Sequence, residues 1–301
     1  MKGLFFALLL SVMPVYAFAA EKTVGVILTG DTPYYRAIHK AFTEELHKRG
    51  IKAQVLLQSP APETVAWMNA VRKLVAVGVD YIVTYGGPVT ATAVSETSSI
   101  PVIYAGVFDP EALGITLKKN ATGISSKVSL IGLVKTLKDM VAFERLGIVY
   151  NETEKDTIKQ AAEIEALGGR FGFKSVKLSI RRFGDAVKIK DVDALVMTTS
   201  CAAIICADDV VGACRRQKVP TASAIGGAEE RGVILTVSAD PSEQGREAAE
   251  MLAQVLAGAK PFSIPARAAK KVDMVINLKE AQELGVKVPI DVLTSATRVI
   301  K

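Results

Sequence analysis

Residues 82–94 read IVTYGGPVTATAV: a β-branched apolar run stops at two glycines and a proline, then continues into small, helix-tolerant residues. A short, unbroken apolar run bounded by turn residues predicts a strand covered on both faces. Pro88 fits the first turn of a helix, where its missing N–H costs nothing. Gly86 and Gly87 carry no side chains just where the strand gives way to the helix, so another group can lie against the backbone there. The stretch predicts a strand–turn–helix unit of a parallel sheet, with an anion-favouring helix N-terminus beyond the strand's carboxyl end.

The same alternation extends to both sides. TVGVILT (23–29), KAQVLL (52–57), YIVTY (81–85) and PVIYAGV (101–107) read as buried parallel strands. Between them, residues 34–49 place Tyr34, Ile38, Phe42 and Leu46 on one helical stripe, with His39, Lys40, Thr43, Glu44 and His47 off it. Both histidines are expected in solvent. Residues 63–77 form a second amphipathic helix with Val71, Leu74 and Val75 on its apolar side, and Trp67 is expected in the core or a groove of that helix. This is the pattern of an α/β chain.

An internal repeat sharpens the reading. Laid without a gap on residues 146–179, residues 24–57 pair VGVILT with LGIVYN and RGIKAQV with FGFKSVK. Further on, VDYIVTYGG (79–87) matches VDALVMTTS (192–200), and SIPVIYA (99–105) matches KVPTASA (218–224). The expected architecture is two similar doubly wound parallel-sheet lobes. Residues 21–124 plus about 239–268 would form lobe 1, and residues 125–238 plus about 269–301 lobe 2. Two extended returns after the second half, GVILTVSAD (232–240) and PFSIPARAAKKVDMVIN (261–277), predict a multi-strand hinge that bends.

Composition excludes several function classes. Residues 1–20, with Lys2, an apolar run and the small residues Ala17 and Ala19, read as a signal peptide, which implies export to the periplasm. About 280 residues then remain, enough for two ordinary lobes. The formal charge of +6 falls to +5 without Lys2, and the basic residues are scattered, so no nucleic-acid partner is expected. Cys201, Cys206 and Cys214 with two distant histidines do not make a zinc set, so no metal is expected. The three cysteines are read first as small residues of a buried helix, with a disulfide as the alternative. There is no G-x-S-x-G elbow, no G-K-[ST] phosphate loop and no dinucleotide fingerprint. No catalytic residue and no cofactor is therefore assigned.

Candidate ligand contacts follow from the strand-end loops. TGDTPYY offers Thr29, Asp31, Tyr34 and Tyr35; the strand YIVTY ends in Tyr85 before Gly86, Gly87 and Thr90. VFDPE offers Asp109, YNETE offers Asn151, TTSCA offers Thr199 and Ser200, and SAIGGAE offers Gly226. Asp109-Pro110 and Asp240-Pro241 have the form of helix caps, and Asp109 could also accept a ligand ammonium. In this scheme Gly86, Gly87 and Thr90 hold an acidic group, a tyrosine ring stacks on an apolar part, and Asp31, Asp109, Asn151 and Ser200 fix polar groups. Asp208 and Asp209 are expected as surface charge.

With those residues in view, a family resemblance becomes visible. IPVIYAGVFDPEALGI (100–115), NATGIS (120–125), LGIVYN (146–151), the long GVILTVSADPSEQGREAAEMLAQVLAGAKPFSIP (232–265) and VINLKEAQELGVKVPIDVLTSATRVI (275–300) resemble ABC-transporter substrate-binding proteins, a family that includes tryptophan and tyrosine binders. The resemblance implies a type I periplasmic-binding-protein clamshell. It also implies a non-enzymatic, monomeric receptor that delivers a small solute to a permease with a separate ATPase. A sensor subunit using the same cleft, or an enzyme on the same fold, are the alternatives. Where members of the family commonly show an aspartate-asparagine pair after the VDAL strand, this chain has Ser200-Cys201-Ala202.

Overall fold

A computed structural model describes residues 22–301; the expected signal peptide lies outside the described residues. The first half alternates strands and helices: β1 (Lys22–Leu28), α1 (Pro33–Lys48), β2 (Ala53–Gln58), α2 (Thr64–Val77), β3 (Tyr81–Tyr85), α3 (Gly87–Glu96), β4 (Val102–Val107) and β5 (Ala121–Ser125). The second repeats the pattern with α4 (Leu130–Met140), β6 (Arg145–Tyr150), α5 (Lys155–Ala166), the short α6 (Gly168–Phe171), β7 (Lys174–Ser179) and β8 (Ala194–Met197). It continues through α7 (Cys201–Ile205), α8 (Ala207–Arg216), β9 (Thr221–Ser223) and β10 (Leu235–Ala239). The tail adds α9 (Pro241–Leu256), β11 (Arg267–Ala268), β12 (Val272–Asn277), α10 (Leu278–Glu283), α11 (Ile290–Ser295) and β13 (Arg298–Ile300).

The two sheets show that the sequence repeat is a structural one. One runs β11-β5-β4-β3-β1-β2 and the other β13-β12-β10-β9-β8-β6-β7. Replacing β1 to β5 by β6 to β10 reproduces the same order. Each is wound on both faces: Val24, Val26 and Leu28 of β1 pack with Ile38 and Phe42 of α1 and with Ala248 and Leu252 of α9. Ile27 packs instead with Trp67, Val71 and Leu74 of α2. That alternation is the pleat of a strand buried on both sides. One pairing departs from the all-parallel expectation: β12 runs antiparallel to β10. The chain enters it directly from β11 in the other sheet, with no crossover helix to reverse its direction.

The chain passes between the sheets three times, after β5, after β10 and after β11. These passages are bonded to one another. Asp240 N–H donates to the Lys271 carbonyl (3.0 Å), and the Glu243 carboxylate accepts the N–H groups of Lys270 and Lys271 (3.0 and 2.9 Å). The Gln244 side chain donates to the Ser125 carbonyl (3.1 Å) and accepts from Gly106 N–H (2.8 Å). The three passages thus form one hydrogen-bonded connection between the sheets. No helix among the described residues is long and apolar enough to cross a membrane.

Candidate functional site

The loops beyond the carboxyl ends of β1 and β3 meet those after β8 and β6 of the other sheet, Gly30 against Cys201 and Gly87 against Asp156, and the Gly86-Gly87 turn is buried there. Gly86 takes φ +103°, a conformation open to glycine, and precedes α3 as its N-cap without any side-chain capping bond. The α3 N-terminus is therefore uncapped and carries the partial positive charge of a helix start. Thr90 and Thr84 brace this turn: Thr90 Oγ1 donates to the Gly86 carbonyl (2.6 Å) and lies 2.8 Å from Thr84 Oγ1. A Cβ on Gly86 would fall against Thr29 Oγ1 and within 2.6 Å of the Tyr35 hydroxyl, so Thr29 and Tyr35 wall the turn.

The opposing lobe brings α5 over this turn. A Cβ on Gly87 would lie 2.8 Å from Asp156 Oδ2 and 2.9 Å from Leu113 Cδ1, so Gly87 is what allows the lobes to meet there. Asp156 is 4% exposed and its Oδ1 has no hydrogen-bond partner among the described residues. Burial raises its pKa to about 6. Beside it, Glu154 is raised to about 8 by burial and by the Asp156 carboxylate. Glu154 Oε1 accepts from Asn151 Nδ2 (2.7 Å) and lies 3.3 Å from the Ser200 hydroxyl.

Asp109 behaves in the opposite way. Its Oδ2 is met by Lys159 Nζ of α5 at 2.6 Å, a bond between lobes, and by Lys127 Nζ at 3.3 Å. Burial on its own would raise its pKa, but the two ammonium groups and the Ala112 N–H hold it down at about 2. Asp109 opens a turn, accepting from Ala112 N–H (2.9 Å), and no α-helix follows. Where a ligand ammonium was expected, the structure places the ammonium groups of Lys159 and Lys127.

Several other expected contacts are placed elsewhere. Tyr85 is fully buried on the face of β3 that packs on α1, 5.9 Å centroid to centroid from His39 and with its hydroxyl 3.3 Å from His39 Nδ1. The pleat sends Val83 and Tyr85 into that core, so Tyr85 is a packing residue. His39 is correspondingly half-buried, and burial lowers its pKa, against the solvent position expected of it. Asp31 is exposed and pairs with Arg36 (2.5 Å). Tyr34 and Gly226 line a separate cavity of about 350 Å³ beside the hinge, with Pro241 and Asp273. Asp240 is the N-cap of α9, accepting from Ser242 and Glu243 N–H, as its spacing implied.

The polar residues of the second lobe are brought to the cleft but serve its own loops. Asn151 Oδ1 accepts from Thr153, Ser200 caps α7 through Ala203 N–H, and Thr199 exchanges two bonds with Gln160 (2.7 and 2.9 Å). Trp67 Nε1 donates to the Thr29 carbonyl (2.7 Å), a bond that fixes the loop after β1. Glu154, Asp156, Lys159 and Gln160 were not among the sequence candidates, although the run ETEKDTIKQ (152–160) puts their polar groups at the start of a helix. The three cysteines are buried free thiols on α7 and α8 and at the junction between them. Cys201 comes against Gly30 of the other lobe, and no metal-binding cluster occurs among the described residues. A cavity of about 640 Å³ opens at the cleft mouth between Pro62 and Trp67 on one side and Asn151, Thr153, Arg181 and Lys188 on the other.

Two lobes of equal topology closing over an uncapped helix start form a binding clamshell, and the family model described as "ABC transporter substrate binding protein" matches residues 23–300. The chain belongs to that family. Among solved structures, this substrate-binding protein is similar to an ABC domain from Streptococcus pneumoniae in complex with L-Trp. The identity there is 25%, over 93% of this chain and 100% of that one, with a TM-score of 0.88. A conserved domain protein from Vibrio cholerae aligns at 22% identity, over 92% of this chain and 99% of that one, with the same score of 0.88. A ligand-free, open substrate-binding protein with adhesive properties from Clostridium difficile aligns at 21% identity over 93% and 99%, with a TM-score of 0.67. These neighbours share the two-lobed fold, and the Lys159–Asp109 bond together with the Gly87–Asp156 approach makes the present arrangement a closed one. No curated protein matches the sequence.

Proposed function

We propose that this chain is the extracytoplasmic receptor of an ABC importer. It closes two lobes on a small carboxylate-bearing apolar solute, an amino acid with the aromatic ones foremost, and presents the closed form to a permease driven by a separate ATPase. The carrying observation is the uncapped α3 N-terminus at Gly86-Gly87, buried between the lobes with its side chains absent. Such a terminus favours a carboxylate through free N–H groups and the helix dipole. The L-Trp complex of the Streptococcus pneumoniae neighbour supports the amino-acid class. Binding free energy gathered from both lobes would stabilise the closed form, and that differential is what a permease could read. The role is one of binding without turnover.

A thermal-shift screen of the chain from Glu21 onward against amino acids, nucleobases and short organic acids tests this. At a hundredfold excess over Kd, a true ligand adds about 2.7 kcal/mol, which is roughly 5–10 °C for lobes of this size. Stabilisation by apolar amino acids is expected; a panel without any stabilising member would overturn the assignment of solute class.

A further inference from the structure

The receptor's cleft holds three carboxylates with very different surroundings. Asp109 has Lys159 and Lys127, and Glu154 has Asn151 and Ser200. Asp156 has neither a cation nor a donor on Oδ1, yet it is 96% withdrawn from water (4% exposed) at the point where α5 meets the α3 N-terminus. The backbone N–H groups of Asp156 and Thr157 favour its charged form, but Oδ1 itself has no hydrogen-bond partner, and a buried carboxylate oxygen without one is costly, a cost that a donor on the solute would remove. Of the ionisable groups facing it, Asp109 across the cleft adds negative charge, while Glu154 on its own loop is itself pushed toward the protonated form by burial and by the Asp156 charge.

We infer that Asp156 accepts the protonated amine of the solute, so that the receptor selects compounds carrying an ammonium group. This rests on the receptor reading above and narrows it. Asp156 Oδ2 lies 2.8 Å from the Cβ position of Gly87, so the acceptor for the amine and the helix start that favours a carboxylate are adjacent. One α-amino acid head group, with its two charges on a single carbon, spans such a pair of subsites. After β8, Ser200 is engaged in capping α7 and Cys201 is buried against Gly30 of the other lobe, so neither offers a carboxylate to the solute. The unpartnered carboxylate of this cleft is the one at the start of α5.

The test is calorimetric titration of tryptophan, tyrosine, phenylalanine and leucine, each beside its des-amino acid and its decarboxylated amine, on the wild-type chain and on Asp156→Asn. Truncating one partner of a buried charge pair costs enough that the des-amino acid should bind at least about thirtyfold more weakly than its amino acid. In Asp156→Asn that preference should shrink to within a few-fold, while the preference for compounds bearing the carboxylate persists. A conservative Asp156→Glu variant should recover part of the amine preference. Des-amino acids that bind wild type as tightly as the amino acids would overturn the inference and leave the receptor reading intact. Binding of none of these compounds would overturn both.

Discussion

Asp109 and Asp156 stand on opposite lobes, both largely buried in the same cleft, and the chain treats them in opposite ways. Asp109 is met by two lysines, one of them from the other lobe, and its pKa falls to about 2. Asp156 is met by no cation, and burial raises its pKa to about 6. Closing therefore gains an ion pair at one carboxylate and strands the other. The first acts as a latch between the lobes. The second opposes closing until a cation arrives, which makes the closed form conditional on the solute.

The largest effect should come from filling the gap at the second carboxylate. Gly87→Leu places a side chain where even a Cβ meets Asp156 at 2.8 Å. It should hold the lobes apart and abolish the roughly 2.7 kcal/mol of ligand stabilisation seen by thermal shift at hundredfold excess. Next in size is the pH response of the unliganded protein. A carboxyl whose closed-state pKa is raised penalises the closed form above its ordinary value, so protonation of Asp156 between about pH 6 and 4 should stabilise the closed form, with Glu154 adding the same sign from about pH 8 downward. Asp109 has the opposite sign: its contribution is present above about pH 4 and is lost as pH falls toward about 2. The unliganded chain should be most closed, with its smallest radius of gyration, near pH 4, and Asp156→Asn should weaken the response between about pH 6 and 4, leaving the part that Glu154 contributes. A flat profile in wild type would break the contrast between the two carboxylates.

Lys159→Met removes the interlobe partner of Asp109 while Lys127 remains. Because the Lys159 side chain is 53% exposed, the loss should be about 1 kcal/mol of closing free energy, read as a several-fold weaker Kd with little change in the stability of either lobe. Ser200→Ala should be smaller in its effect on the solute. It removes the cap of α7, costing about 0.5–1 kcal/mol of stability in chemical denaturation, and leaves the amine preference unchanged.

The strand–glycine–helix unit at 82–94 and the repeat of 24–57 on 146–179 made the two-lobed α/β architecture readable from the sequence, because both rest on local periodicity and turn chemistry. The Gly86-Gly87 turn was legible for the same reason. Tyr85 lies in the core and not in the cleft because a tyrosine at the last position of a strand can belong to either face, and the pleat decides which. Asn151, Thr199 and Ser200 reach the cleft, but each bonds within its own lobe, a choice that sequence spacing does not reveal. Asp156 escaped notice because an acid in the first turn of a helix usually meets water; only the approach of α3 from the other lobe buries it. Lys159 acquires its meaning in the same way, from a residue 50 positions earlier. What the sequence hides here is the contact between lobes, which has no local signature.

Small-angle scattering of the chain, with and without the amino acid that gives the largest thermal shift, measures solute-dependent closure of the two lobes. Adding the solute at pH 7 should lower the radius of gyration and give a scattering curve matching the closed arrangement in which Lys159 reaches Asp109. The Gly87→Leu variant should stay expanded under both conditions. A wild-type curve unchanged by a solute that demonstrably binds would contradict solute-dependent closure.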